Sequence, residues 1–277
     1  MEIRLTMKNK IGVIEDNFKI GAWEGVKKAK EVGAEGIQLF ARRELDPEVL
    51  GTADRKELKQ LIDSLGLEVA SLCGDTGGPR FMEIATHRER IDKTKRILDM
   101  AAELGTPIVT AHIGTIPDDT SSELYEALQN VCAEIGRHAA SMKAFYAIET
   151  GPETAVHLKT FLDSINAPGL AVNFDPANLW MVKGDDPVQG VFVLQKYIVH
   201  THVKDGVRIP RTVNGETEYD HAETPIGEGE VRFDDYFAAL RQIGYTGYLT
   251  IEREKGEVPE RELNIRNAIA FIKRYRA

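Results

Sequence analysis

Between Tyr197 and Arg208 the chain reads Tyr-Ile-Val-His-Thr-His-Val-Lys-Asp-Gly-Val-Arg. Ile198, Val199 and Val203 are β-branched and Gly206 closes the run, so a strand is expected here. Side chains on a strand alternate between its faces. His200, His202 and Lys204 therefore share one face, and Val199, Thr201 and Val203 share the other. Two imidazoles and an ammonium group in front of an apolar back suit ligand binding or proton transfer better than packing. Three other runs end in an acid: Phe145–Thr150 in Glu149, Leu170–Pro176 in Asp175, and Tyr248–Glu254 in Glu252. Residues of opposite parity to each acid are mostly apolar: Ile148, Val172 with Phe174, and Leu249 with Ile251. Those sharing its parity include Ala147, Asn173 and Thr250. One face would pack on helices while the other looks into a confined interior. The steps from Glu149 to Asp175 and from Asp175 to His202 each suit one strand–helix repeat.

The elements that must position these residues follow from periodicity. Expected strands are Ile3–Thr6, Gly36–Phe40, Leu67–Cys73, Pro107–Ile113 and the four runs above. Helical spacing is found over Gly21–Val32, Asp54–Ser64, Ile84–Leu104, Ser121–Ala140, Glu153–Ser164, Pro187–Leu194, Phe233–Ile243 and Glu260–Tyr275. Gly33 ends the first helix, and Thr120 or Ser121 is the expected cap of the fourth. Asn9–Asn17 reads as a loop, and Val207–Val231 as a long loop without periodicity. Alternation of strands and helices implies parallel strands joined by helical crossovers. Eight such units in 277 residues predict one (β/α)₈ TIM barrel over residues 1–277. The rival doubly wound sheet lacks a glycine-rich phosphate fingerprint after an early strand.

In a barrel the site lies at the C-terminal ends of the strands. Glu149, Asp175, His202 and Glu252 then meet in one mouth. Three carboxylates crowded there would repel one another and raise each other's pKa values, a conflict that a divalent cation relieves. Oxygen-rich ligands with one imidazole suit Mn²⁺ first, with Mg²⁺, Co²⁺ or Zn²⁺ as alternatives.

Composition bounds the partners. The net charge is −9, with 42% hydrophobic and 29% charged residues. An acidic balance argues against a nucleic-acid protein, which carries a basic face. Cys73 and Cys132 are the only cysteines, too few for a disulfide framework, and a reducing cytoplasm is the expected compartment. The N-terminus carries no basic-then-apolar signal, and no apolar run approaches membrane-spanning length. Trp180 and Met181, after Asp175, are expected either to cover the mouth or to contact another copy in a homo-oligomer.

Five segments together resemble the sugar phosphate isomerase/epimerase family of xylose isomerase-like barrels, which includes D-tagatose 3-epimerase, hydroxypyruvate isomerase and inosose dehydratase. They are Ile148-Glu149-Thr150-Gly151, Asn173-Phe174-Asp175-Pro176-Ala177-Asn178, His200-Thr201-His202-Val203-Lys204-Asp205, Gly227-Glu228-Gly229 and Ile251-Glu252. The resemblance implies that Glu149, Asp175, His202 and Glu252 hold one metal ion, that Glu149 and Glu252 double as acid/base groups, and that Arg208 binds substrate. The chain departs from the epimerases at Asn178, where they place a substrate-binding histidine. The implied substrate is a small sugar or sugar phosphate.

The chemistry can be stated independently of the family. A metal chelated by a carbonyl and the adjacent hydroxyl acidifies the C–H bond between them. One glutamate removes that proton and leaves a cis-enediolate. Its return on the opposite face epimerises the carbon, return to the neighbouring carbon isomerises, and loss of a β-hydroxyl dehydrates. The four ligands alone do not discriminate among these outcomes. His112, ending strand four with inward parity, is expected to contact substrate or to be a core histidine. Lys204 is expected to hold a substrate oxygen or to pair with a ligand carboxylate. His200, one layer deeper, is expected to be packed and hydrogen-bonded. Cys73 has no base paired with it, which argues against a nucleophile. A DNA-repair barrel of the endonuclease IV type needs several metal ions and further histidines, one of them at the position of Asn178. A non-catalytic metal-binding barrel would not need both Glu149 and Glu252.

Overall fold

A computed structural model describes residues 7–75, 77–78, 80–214 and 216–276. In chain order the elements are β1 (Ile11–Ile14), α1 (Ala22–Val32), β2 (Gly36–Phe40), α2 (Thr52–Ser64), β3 (Glu68–Cys73), α3 (His87–Leu104), β4 (Ile108–Ala111) and α4 (Glu123–Ser141). They continue with β5 (Phe145–Glu149), α5 (Ala155–Asp163), β6 (Leu170–Phe174), α6 (Pro176–Asn178), α7 (Pro187–Leu194) and β7 (Ile198–Val203). The chain closes with β8 (Asp205–Val213), β9 (Glu216–Thr224), α8 (Phe233–Gln242), β10 (Leu249–Ile251) and α9 (Val258–Lys273). Eight strands form a closed barrel in the order β1-β10-β7-β6-β5-β4-β3-β2, and every neighbouring pair is parallel. The expected (β/α)₈ architecture is therefore observed.

The local reasons are ordinary ones. Gly33 terminates α1 in the left-handed region at φ 93°, as a C-cap glycine does. Ser122, not Thr120 or Ser121, caps α4, its hydroxyl accepting from the Tyr125 N–H. Apolar side chains such as Ile37, Leu72, Val109, Ile148, Val172 and Ile251 are buried and form one continuous core with the helices. Each large apolar side chain so buried contributes roughly 1.5–3 kcal/mol.

Two expectations need correction. The proposed strand Ile3–Thr6 lies outside the described residues, and the first barrel strand is Ile11–Ile14, within the segment read as a loop. The run is short and interrupted by Gly12, which hid its β-branched character. Gly12 pairs in register with Thr250, and a Cβ added there would stand 2.7 Å from the Thr250 hydroxyl. The glycine makes room for a neighbour rather than ending a strand.

The second correction concerns Val207–Val231. Much of it is an antiparallel hairpin, β8 paired with β9 from Asp205↔Thr224 to Val213↔Glu216. The hairpin stands largely in solvent, so neither strand needs alternating apolar residues, and Pro210 obscured β8 further. The Asn214-Gly215 dipeptide was the available signal, because it favours tight hairpin turns. At the root of the hairpin the Asp205 carboxylate accepts hydrogen bonds from the backbone N–H groups of Gly206, Gly227, Gly229 and Val231. A Cβ on Gly229 would stand 2.2 Å from Asp205 Oδ1. The Gly227-Glu228-Gly229 segment thus closes a loop around a buried acid. Asp186 Oδ1 caps α7, and a helical turn neither expected nor periodic, α6 with its wide continuation Leu179–Lys183, links β6 to it. No helix among the described residues is long and apolar enough to cross a membrane.

Candidate metal centre

Four neighbouring barrel strands bring one residue each to the mouth. Glu149 ends β5, Asp175 follows β6, His202 lies on β7, and Glu252 follows β10. All four are buried, and one potential ligand atom from each lies within 4.8 Å of the others. His202 Nδ1 is 3.2 Å from Glu252 Oε2, 3.4 Å from Glu149 Oε1 and 3.6 Å from Asp175 Oδ2.

The surroundings fix how these groups face one another. His202 Nε2 lies 3.1 Å from Gln38 Oε1, an acceptor to which it donates, and 3.3 Å from Asn173 Nδ2, and Nδ1 is directed at the carboxylates. Asn173 Nδ2 donates to Glu149 Oε2 at 2.9 Å, and Asn178 Nδ2 donates to Glu149 Oε1 at 3.1 Å. His200 donates from Nδ1 to Asn173 Oδ1 at 2.8 Å and accepts at Nε2 from the Thr250 hydroxyl at 2.9 Å. Thr250, His200 and Asn173 thus form a buried chain that orients Glu149. Burial, helped by the charge of His202, holds the His200 pKa well below the usual imidazole value, so this ring is neutral. The expectation of a packed, hydrogen-bonded His200 is met.

The barrel ladder itself aims two of these partners. Its register shifts at Ile37/Gln38 and at Val172/Asn173, next to two of the three amide side chains that touch the quartet. Such irregularities re-aim side chains beside functional sites.

Lys204, on the same stretch as His202, is 5% exposed; its Nζ is 3.0 Å from Glu252 Oε2 and 3.9 Å from Asp175 Oδ2. Of the two expected roles it has the pairing one. His112 follows β4; its Nδ1 is 2.7 Å from Asp75 Oδ2 and its Nε2 is 3.5 Å from Glu149 Oε1. It faces the cavity from the rim and is not a core residue. Burial works against the charged ring of His112, but Glu149 and Asp75 outweigh it and push its pKa up to about 9. Arg208 does not line the cavity of the quartet. It sits on the hairpin with its guanidinium 3.9 Å from the Tyr219 ring centroid and 5.6 Å from that of Trp180. Met181 is buried beneath Gly206, and Trp180 Nε1 donates to Glu230 at 2.8 Å, so these two residues pack the hairpin against the barrel. Cys73 lines the cavity, but burial raises its thiol well above the ordinary range.

The electrostatics of the quartet are unbalanced without a cation. Burial opposes charge on His202, yet Glu252 and Glu149 hold its pKa well above the ordinary value. Burial raises Asp175 to about 6 against the pull of Lys204 and His202. Burial also opposes charge on Glu252, but Lys204 and His202 override it and hold that carboxyl well below its usual value. Two buried atoms facing the centre, His202 Nδ1 and Asp175 Oδ2, have no hydrogen-bond partner. A buried polar atom left unpaired costs about 1–3 kcal/mol, and more when charged. Three carboxylates and an imidazole converging on one point, with an unpartnered atom on the imidazole and on Asp175, fit a divalent cation in both donor chemistry and placement.

Sequence reasoning did not find Gln38, Asn173 or Asp75 as partners of the site. Gln38 and Asn173 carried the only readable signal, a polar residue of inward parity in a buried strand. Asp75 lies in a loop, where parity says nothing.

The family described as "Xylose isomerase-like TIM barrel" matches residues 26–275. An uncharacterised protein of Methanocaldococcus jannaschii, MJ1311, is 26% identical over 204 residues, 69% of this chain and 62% of that protein. An inosose dehydratase of Bacillus thuringiensis is 26% identical over 116 residues, 38% of each chain. The matches thus span less than two thirds of either relative's length. Among solved structures, a xylose isomerase domain protein from Planctomyces limnophilus superposes with a TM-score of 0.82 at 26% identity, covering 97% of this chain and 98% of that one. A D-tagatose 3-epimerase-like protein gives 0.75 at 20% identity over 97% and 100% of the two chains. A Mycobacterium smegmatis barrel described in complex with magnesium gives 0.75 at 15% identity over the whole of both. The last two likenesses bear on the fold alone.

Proposed function

Since the chain belongs to the xylose isomerase-like TIM barrel family, we propose that it is a divalent-metal-dependent isomerase or epimerase of a small sugar or sugar phosphate, working through a cis-enediolate. The observation that carries this reading is the buried quartet with its two orphaned atoms. Glu149, Asp175, His202 and Glu252 would hold the cation, Mn²⁺ in the first instance. When bound, a divalent ion supplies Lewis acidity, polarising a carbonyl and its neighbouring hydroxyl and acidifying the C–H bond between them.

The remaining work falls to side chains of this protein. Glu149 and Glu252 stand at the two ends of the arc of four strands, so a substrate in the mouth lies between them. One carboxylate takes the proton from carbon, and its C–H bonding pair passes into the enediolate. The other glutamate returns a proton to the opposite face for epimerisation, and return to the adjacent carbon gives isomerisation. Asn173 and Asn178 fix the Glu149 carboxylate by donating to its two oxygens. Lys204 keeps Glu252 ionised and thus able to act as a base. His112, held by Asp75, offers Nε2 to a substrate oxygen beside Glu149. Arg208 would reach a substrate oxygen from the hairpin.

A second reading is a dehydratase of a keto-polyol on the same centre, in which the enediolate expels a β-hydroxyl as water. The match to inosose dehydratases supports it. Incubation of Mn²⁺-loaded protein with a panel of ketoses and their phosphates in D₂O, followed by NMR, separates the two. Solvent deuterium next to the carbonyl without loss of water is the expected result. Loss of water decides for the dehydratase, and no exchange with any member of the panel counts against both.

A further inference from the structure

Two arginines face the quartet from across the barrel. Arg42 follows β2 and Arg80 follows β3, and in the closed ring those strands stand opposite β6 and β7. Both line a cavity of about 380 Å³ whose walls also include Glu149, His202 and Glu252. Other charges of that cavity are already matched, His112 with Asp75 and Lys204 with Glu252 and Glu254. Arg80 makes no hydrogen bond or ion pair among the described residues. Its charge helps to hold Asp75 ionised and works against the charge on His112. Two cations on one wall would both gain from an anion between them and the quartet. Arg42 is partly engaged: Nη2 bonds Asp16 at 2.6 Å and the guanidinium lies 4.3 Å from the Phe40 ring centroid, but its buried Nε has no partner.

Arg80 is also held in place. The next residue, Phe81, is buried; its N–H donates to the Ile113 carbonyl at 3.2 Å, and its own carbonyl lies 2.8 Å from the His87 ring. Arg80 itself adopts φ 54°, in the left-handed region that a residue with a Cβ rarely takes.

A guanidinium presents five N–H donors in a planar fork that matches carboxylate and phosphate oxygens. A neutral sugar would give these arginines no counter-charge. The geometry points to a two-ended substrate: a keto-polyol whose carbonyl end meets the quartet and whose other end is an anion, carboxylate or phosphate ester, seated on Arg80 with Arg42 alongside. The inference rests on the isomerase reading for the carbonyl end only.

The test is a binding measurement. Calorimetry on Mn²⁺-loaded protein compares D-fructose, D-fructose 6-phosphate and D-fructuronate in the parent and in Arg80→Gln. The side chain of Arg80 is exposed, so the substitution leaves the core intact. At least one anionic ligand is expected to bind roughly tenfold or more tightly than fructose, with the preference collapsing in the variant. Which anion is preferred identifies its source. Equal affinity for all three, or a preference that survives Arg80→Gln, overturns the inference. Proton exchange follows on the same ligands. Arg80-dependent binding without exchange would count against the isomerase reading and leave the anion subsite standing. Exchange on the anionic ligands that is indifferent to Arg80→Gln would do the reverse.

Discussion

The two halves of the barrel mouth are built from different chemistry. Strands β5, β6, β7 and β10 form one half of the ring and bring Glu149, Asp175, His202 and Glu252 together in burial. Strands β1 to β4 form the other half and contribute an amide, an ion-paired histidine and two arginines: Gln38, His112 with Asp75, Arg42 and Arg80. The first half concentrates negative charge that only cations can balance. The second half orients and counter-charges. A closed ring lets the two act on one ligand, because a strand such as β2 reaches across the interior, as Gln38 does to His202 on β7.

This division predicts unequal effects. The largest belong to the acid half. Glu149→Gln and Glu252→Gln should each lower net turnover about a thousandfold or more, a barrier change of roughly 4 kcal/mol. Each variant should retain exchange of one substrate proton with solvent, driven by the glutamate that remains. Deuterium uptake by NMR reads this, and near-normal turnover in either variant would break the two-base account in favour of a single base.

Across the ring the effect should be indirect and smaller. Gln38→Ala removes the acceptor that fixes the His202 ring, and metal affinity should fall roughly tenfold to a hundredfold, as for other residues that orient a ligand. Titration calorimetry with Mn²⁺ measures it. An unchanged affinity would mean that packing alone holds the ring.

Glu15, at the end of β1, sharpens the contrast by pH. Burial pushes its carboxyl up to about 7 from 4.5, with Asp16 adding to the shift and the Phe40 N–H and Arg42 opposing it. Between those values the folded state keeps a proton that the unfolded chain has released. The contribution to stability is therefore fully present below pH 4.5 and lost as pH rises through 7. Glu15→Gln cannot titrate, so in urea denaturation it should match the parent near pH 5 and exceed it at pH 8 by on the order of 2 kcal/mol. The same slope in parent and variant would contradict this.

The smallest effect is expected at the hairpin. Arg208 is stacked on Tyr219 and lies outside the cavity lining, so Arg208→Ala should weaken turnover by roughly tenfold or less. Metal content should be intact, because a guanidinium donates hydrogen bonds and does not coordinate cations. Loss of metal in that variant would show that the hairpin supports the centre itself.

The acid half was legible in the sequence and the other half was not, for a physical reason. Strands β5, β6 and β7 are continuous runs with an acid or imidazole of inward parity, and parity is a strong signal when one face is buried. The first half defeats it. Gly12 interrupts β1 to make room for Thr250, and Asp75, Arg42 and Arg80 lie in loops whose side chains follow no period. Gln38 and Asn173 offered inward parity alone, and the register shifts beside them depend on neighbouring strands and cannot be read from one strand. The hairpin escaped for the opposite reason: its strands are solvated on both faces, so they carry no apolar pattern.

The central claim is that the quartet holds one divalent cation. Chelator-treated protein titrated with Mn²⁺, with binding followed by calorimetry, tests it in the parent and in an Asp175→Ala, His202→Ala double variant. The account predicts one equivalent bound by the parent and no saturable binding in the double variant while both remain folded by circular dichroism. Full-strength binding of one equivalent by the double variant would contradict it.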